Sequence, residues 1–170
     1  MKKVLILTGM QKGLICSDTS FVKYIKEMLE EQQFDYVFAT KLINFDGSIL
    51  EERLEYTRLK SKEEIEICDE LKELVDEEIT IFPYSCVNEG FMVKLGEISD
   101  TEFFPEEICI CGLGTDTFVL KNALDLFEYG IDIKVITNYC KSTHGVESNI
   151  AALKVLSKVI GDERLINWYK

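Results

Sequence analysis

The sequence GLGTD at residues 112–116 follows the apolar segment EEICIC and precedes a segment with helical periodicity. In α/β proteins, this strand-turn-helix arrangement points unpaired backbone N–H groups into a crevice, where they can hold an anion or a substrate oxygen. Phe118 lies on the first turn of the helix, where such a site would usually place a nucleophile or a polar group. The stretch therefore predicts a small-molecule site with a phenylalanine at its centre.

The elements that position this turn follow from hydrophobic periodicity. Apolar runs predict strands at residues 4–7, 36–40, 79–82, 107–112 and 131–137, and RLINWYK predicts a last short edge strand. Helical spacing predicts helices at residues 18–31, 61–75, 118–129 and 145–161, with a short helix within 86–99 and an irregular excursion at 41–60. Strands that are continuous apolar runs and alternate with helices are typical of parallel sheets. We therefore predict a three-layer α/β/α, Rossmann-like fold with a doubly wound, mostly parallel sheet of five or six strands. Residues 1–170 would form one domain.

Composition limits the partners. The net charge of −12 argues against nucleic acid, because phosphate binding needs clustered lysine and arginine. No signal peptide and no apolar run of membrane-spanning length is present, so we expect no membrane contact, a cytoplasmic location and reduced cysteines.

Ligands of such sheets bind at the carboxyl ends of the strands, where strand order reverses. Candidate ligand-binding residues at these ends are Gln11, Asn44, Tyr84, Leu113, Gly114, Thr115 and Asp116. For Thr115 and Asp116, a helix-start role is an alternative, since such residues satisfy free N–H groups and suit the helix dipole.

Four segments in order resemble the isochorismatase-like cysteine hydrolases, a family that includes nicotinamidases and related amidases. These segments are LILTGMQKGL, ATKLINFDGSILEERL, CGLGTDTFVLKNALDLFEYGIDIKVI and NYCKSTHGVESNIAALKVLSKVIG. Together they span nearly the whole chain. The resemblance implies the family's fold, a homo-oligomer, and a cis peptide bond around Leu113-Gly114.

The resemblance also implies where the family's chemistry would lie. The family uses an aspartate base, a lysine and a cysteine nucleophile, whose thiolate a nearby cation and a helix N-terminus stabilise. These positions fall on Gly9, Ile81 and Phe118, and none of the three can move a proton or attack a carbonyl. The concerted loss predicts a non-catalytic protein that acts in binding or assembly, with an apolar, repacked crevice or a cavity for a small neutral ligand.

An alternative keeps catalysis. A relocated cysteine, Cys86 or Cys16, would then hydrolyse a small amide or a related carbonyl substrate. We expect no cofactor and no metal, because His144 is the only histidine and Asp46 stands alone after the second strand. We expect His144 to be a surface or oligomer-contact residue.

The apolar residues within 42–59 leave two interpretations open. They are Leu42, Ile43, Phe45, Ile49, Leu50, Leu54, Tyr56 and Leu59. They would either contact another copy of the chain or fold back as a local cover on the sheet.

Overall fold

The computed structural model describes residues 2–15, 18–31, 34–99, 105 and 107–168. Its centre is one six-stranded sheet in the order β3-β2-β1-β4-β5-β6, with every neighbouring pair parallel. The strands are β1 Lys3–Thr8, β2 Tyr36–Leu42, β3 Glu77–Ile81, β4 Glu107–Leu113, β5 Ile133–Lys141 and β6 Leu165–Ile166. The predicted parallel sheet and its edge strand are confirmed.

Helices cover both faces of the sheet. The α-helices are α1 Lys12–Ile15, α2 Thr19–Glu31, α3 Ile49–Leu54, α4 Lys62–Ile65, α5 Glu89–Glu97, α6 Leu120–Glu128 and α7 Val146–Ile160. Two short 3-10 helices, Asp69–Leu74 and Asp162–Arg164, and one π-helical turn, Thr115–Val119, complete the elements of the described residues. None of these helices has both the length and the apolar character that a membrane crossing requires.

Successive side chains of β1 enter two different cores, which explains why the strands are apolar at every position. Val4 and Ile6 lie in one core and Leu5 and Leu7 in the other, and all four are fully buried. Successive side chains of a strand point to opposite faces, so a strand covered on both sides needs apolar residues at every position. Helices α5, α6 and α7 pack on the first face, and α2 packs on the second.

The predicted helix at residues 61–75 is wrong. It divides into α4 and the 3-10 helix Asp69–Leu74, and the chain between them is extended. The backbone N–H of Lys12 donates to the carbonyl of Glu66 at 2.8 Å, and the N–H of Cys68 donates to the carbonyl of Met10 at 2.9 Å. Pairing with the segment after β1 therefore outweighs the local helical pattern.

Residues 42–59 fold back on the sheet with some of their apolar side chains, and contact of the others with another copy stays a prediction. Leu42, Leu50 and Leu59 are buried and cover the end of the sheet, whereas Phe45 and Ile49 are exposed. The excursion predicted as irregular contains α3, whose N-terminus is capped by the Ser48 hydroxyl accepting from the N–H of Glu51 at 3.1 Å.

Candidate functional site

A cavity of about 380 Å³ lies at the carboxyl edge of the sheet. It is bordered by the end of β2, the π-helical turn after β4 and the loop after β5. Its lining residues are Leu14, Leu42, Leu50, Leu54, Tyr56, Tyr84, Thr117, Phe118, Thr143 and His144. The strand order reverses between β1 and β4. Parallel sheets of this kind bind ligands at the carboxyl edge, next to such a reversal.

The ring of Phe118 forms an inner wall of this cavity. The side chain is 6 % exposed and meets Tyr84 edge to face, with ring centroids 5.7 Å apart. It also lies directly on Gly114, because a Cβ atom at that glycine would be 2.5 Å from Phe118 Cδ2. An aromatic pair of this geometry fixes the shape of the wall as well as burying apolar area.

Asn122 holds both aromatic residues in place. Its side chain is fully buried, and its Nδ2 donates to the carbonyls of Tyr84 at 2.9 Å and Phe118 at 2.7 Å. Its Oδ1 accepts from the N–H of Cys86 at 2.5 Å. One amide therefore ties the loop after β3 to the π-helical turn. An asparagine in the middle of the predicted helix at 118–129 was the sequence signal for this role, because asparagine disfavours helix interiors.

Asp116 and His144 form a hydrogen-bonded pair beside the cavity. His144 Nδ1 lies 2.6 Å from Asp116 Oδ2, and the His144 side chain is 62 % exposed. Burial alone would raise the pKa of Asp116, but hydrogen bonds from Ser142 and His144 outweigh it and hold that pKa below its usual range. The sequence placed the two residues on separate loops and gave no sign that they meet.

Gln11 and Asn44, predicted to face the crevice, use their amides to hold backbone instead. Gln11 Nε2 donates to the carbonyls of Leu42 at 2.8 Å and Ile65 at 3.0 Å, and its Oε1 accepts from the N–H of Leu42 at 2.7 Å. Asn44 Nδ2 donates to the carbonyls of Tyr56 at 2.8 Å and Arg58 at 3.0 Å. Both side chains are buried, and neither lines the cavity.

No family model matches the sequence, and no curated protein sequence matches it. Solved structures do match. A nicotinamidase from Bacillus subtilis has a TM-score of 0.75 at 22% identity, covering 99% of this chain and 100% of that chain. An isochorismatase-like hydrolase from Alkaliphilus metalliredigens has a TM-score of 0.77 at 13% identity, with coverages of 94% and 92%. A pyrazinamidase of Pyrococcus horikoshii in complex with zinc has a TM-score of 0.75 at 17% identity, with coverages of 99% and 100%.

The chain has the isochorismatase-like hydrolase fold. The superposed structures cover almost the full length of both partners, so the likeness extends over all layers of the fold. At these identities it concerns the fold alone, because one fold can host many activities. What this example of the isochorismatase-like fold does depends on its own residues at the carboxyl edge.

Gly9 occupies the position that the resemblance equates with the family's aspartate. Its backbone φ is 68°, and a Cβ atom there would lie 2.7 Å from the carbonyl oxygen and 2.8 Å from Cβ of Leu113. Leu113, predicted to contact a ligand, is therefore packed against Gly9 and does not line the cavity. No side chain fits at residue 9 without moving β4.

Ile81 occupies the position equated with the family's lysine. It ends β3, pairs in register with Leu42 and is 2 % exposed. It belongs to the same buried cluster as Phe118. An ammonium group at this position would face apolar neighbours, which makes burying its charge costly.

The turn after β4 keeps few amides for a ligand. The N–H of Gly114 donates to the carbonyl of Lys141 at 2.7 Å, and the N–H groups of Thr117 and Val119 donate to the carbonyl of Gly114. Thr115 is fully buried and does not line the cavity. The cis bond that the resemblance implies around Leu113-Gly114 is absent, since the cis peptide among the described residues is Phe82-Pro83.

Every cysteine in the described part of the chain is held as a neutral thiol. Burial raises the thiol pKa of Cys68 to about 11 and those of Cys86, Cys109 and Cys140 to about 12. Burial also raises the pKa of Cys111 well above its usual value. Cys86 is fully buried and does not line the cavity. Cys16, the other candidate nucleophile, lies outside the described residues.

We expect slow alkylation of these thiols near neutral pH. The variant Cys16→Ser is used because Cys16 lies outside the described residues. Iodoacetamide should modify this folded variant at least about a hundredfold more slowly than free cysteine, because the thiolate is the reacting species. The same variant unfolded in guanidinium is the control and should react at the rate of free cysteine. A thiol that reacts at the free-cysteine rate in the folded variant would contradict this expectation and identify a relocated nucleophile.

The residues of the carboxyl edge do not fit a metal site. Within the described ranges, no three His, Cys, Asp or Glu side chains come together in a way that could hold a metal ion. Asp46, the carboxylate after β2, instead forms an ion pair with Lys60 at 2.7 Å.

A second cavity, of about 420 Å³, lies beside α1 and the 3-10 helix Asp69–Leu74. Several of its lining side chains carry charge, and they pair with one another or with neighbours. Lys12 contacts Asp69 at 2.9 Å, and Arg58 contacts Glu64 at 3.8 Å. None of the three triad-equivalent positions lines it.

Proposed function

We propose that this chain is a non-catalytic member of the isochorismatase-like hydrolases that binds a small neutral molecule in the 380 Å³ cavity. The observation that carries the proposal is Phe118, which stands where the family's nucleophile would be and forms the wall of an open cavity. Gly9 and Ile81 support it, because one position admits no side chain and the other is packed in the core.

The composition of the lining agrees with binding rather than hydrolysis. Leucine and aromatic side chains make up most of the lining, and among the described residues it contains no cysteine, lysine or carboxylate. A cavity of this size that is mostly apolar with a few polar groups is typical of a small-molecule site. The alternative, a hydrolase with a relocated cysteine, would need a thiolate, and burial disfavours that form at Cys86.

Two measurements on the purified chain test the proposal. Nicotinamide, isochorismate and small aliphatic amides should show no turnover above the uncatalysed rate. A neutral aromatic probe should shift the methyl NMR signals of Leu14, Leu50 and Leu54, which line the cavity. The matched controls are Leu95 of α5 and Leu126 of α6. Both are buried and neither lines the cavity, so their methyl signals should not shift. Robust turnover of any of these substrates, or shifts spread equally over both sets, would overturn the proposal.

We also propose that the chain forms a homo-oligomer. Phe45 and Phe82 support this, because both are exposed and their ring centroids lie 5.1 Å apart, which gives one apolar surface patch. Light scattering from the purified protein would return a monomer mass if this is wrong. A cytoplasmic location stays a prediction from the sequence.

A further inference from the structure

The lining of the cavity contains two chemical kinds of side chain. Apolar side chains come from α1, β2, α3 and the π-helical turn: Leu14, Leu42, Leu50, Leu54 and Phe118. Polar groups come from the π-helical turn and the loop after β5: Thr117, Thr143 and His144. A ligand that matches both kinds is largely apolar and carries a polar group.

Charged ligands have no partner among these lining residues. Apart from the imidazole of His144, the described lining holds no ionisable acid or amine, only the phenols of Tyr56 and Tyr84. The lysines of nearby segments already pair with carboxylates, as Lys60 does with Asp46 and Glu51. Burying an unpaired carboxylate or ammonium is costly, so the lining selects an uncharged ligand.

His144 decides whether the ligand donates or accepts the hydrogen bond at this residue. The depressed pKa of Asp116 keeps it as a carboxylate, which only accepts hydrogen bonds. His144 Nδ1, 2.6 Å from Asp116 Oδ2, must therefore be the protonated nitrogen of this pair. When the ring is neutral, Nε2 is then an acceptor, and the ligand group that matches this form of the ring is an O–H or N–H donor.

The aromatic lining residues favour a ligand that contains a ring. Tyr84 and Phe118 meet edge to face with centroids 5.7 Å apart, and both line the cavity. Aromatic walls attract an aromatic ligand by offset or edge-to-face contact, beyond the area that is buried.

We infer that the ligand is an uncharged aromatic hydroxyl compound, whose ring contacts Phe118 and Tyr84 and whose hydroxyl donates to His144 Nε2. This inference rests on the proposed binding function and specifies its ligand class. The hydroxyl group distinguishes this class from the amides that the hydrolases of this fold process, because a phenol offers the cavity a donor and no scissile bond.

Three matched probes test the inference by calorimetry and NMR titration of the full chain. They are 4-ethylphenol, 4-ethylanisole and 4-ethylbenzoate, which share a ring and differ in the polar group. The anisole has lost the donor, and the benzoate carries a charge. We expect the phenol to bind about fivefold more tightly than the anisole, the ratio that one net hydrogen bond provides, and the benzoate to bind weakest.

The variant His144→Leu separates the hydrogen bond from the apolar contact. The side chain is largely exposed, so this change should leave the fold intact. We expect the phenol-to-anisole ratio to fall to about one, while the anisole still binds. Glu147→Leu, an exposed position on α7 that does not line the cavity, is the matched control and should keep the ratio.

The possible outcomes distinguish the ligand class from the binding function on which it rests. Equal binding of phenol and anisole, or an unchanged ratio in His144→Leu, would overturn the hydroxyl assignment and leave the binding function standing. Tightest binding of the benzoate would overturn both the hydroxyl assignment and the neutral ligand of the proposed function. If none of the three probes shifts the cavity methyl groups, both the ligand class and the binding function are overturned.

Discussion

Replacing Gly9 with alanine will lower the free energy of unfolding by about 3 kcal/mol, from left-handed backbone strain and from overpacking against β4. The backbone φ of 68° is strained for any residue with a Cβ atom. The added methyl group would also lie 2.7 Å from the carbonyl oxygen of Leu113, a strand atom that cannot move without disturbing the sheet. Urea unfolding followed by circular dichroism measures the loss.

Gly47→Ala is the matched control for this experiment. Its φ is 73°, close to that of Gly9, but a Cβ atom there would have nothing within 4 Å. We expect it to lose only about 1 kcal/mol, which is the backbone strain alone. Equal losses at the two glycines would show that the space beside residue 9 can accept a side chain. The conclusion that no side chain fits at residue 9 without moving β4 would then be wrong.

Asn122→Leu will lower the free energy of unfolding by about 3 kcal/mol, because it leaves buried backbone groups without partners. Leucine has a similar volume, so the main loss is the three hydrogen bonds to the backbone of Tyr84, Cys86 and Phe118. The loop after β3 and the π-helical turn would no longer be joined. We therefore also expect weaker binding of aromatic probes, measured by the same titrations.

Asn149→Leu provides the control on a different helix. Asn149 is half-buried on α7, and its Oδ1 has no hydrogen-bond partner among the described residues. Removing an amide whose oxygen has no hydrogen-bond partner in the described part of the chain should change the free energy of unfolding by less than about 1 kcal/mol. A loss at Asn122 no larger than that at Asn149 would show that the three hydrogen bonds do not hold the cavity wall in place.

The two substitutions probe different parts of the carboxyl edge. Gly9→Ala tests whether the packing against β4 closes residue 9 to any side chain, and Asn122→Leu tests whether one buried amide holds the aromatic wall of the cavity. If both hold, the carboxyl edge has been repacked as a unit. We would then expect one substitution toward the family's catalytic residues to give no activity, because β4 closes residue 9 and Asn122 holds the aromatic wall in place.

The sequence by itself determined the layered architecture and predicted a candidate site at the carboxyl edge of the sheet. Continuous apolar runs such as residues 4–7 and 107–112 can be satisfied only in strands covered on both faces, so the parallel sheet followed from local composition. The chain order of the motifs then placed Gly9, Ile81 and Phe118 at the strand ends. These inferences succeed because strand and helix periodicity is a property of neighbouring residues.

Only the tertiary structure decided what the polar residues of that edge do. Gln11 bonds to the backbone of Leu42, which is distant in sequence, and the pair of Asp116 and His144 joins two separate loops. The same kind of contact, between the segment after β1 and residues 66–68, breaks the predicted helix at 61–75. A hydrogen bond between distant segments depends on distances that the fold sets, and no local pattern of residues records them.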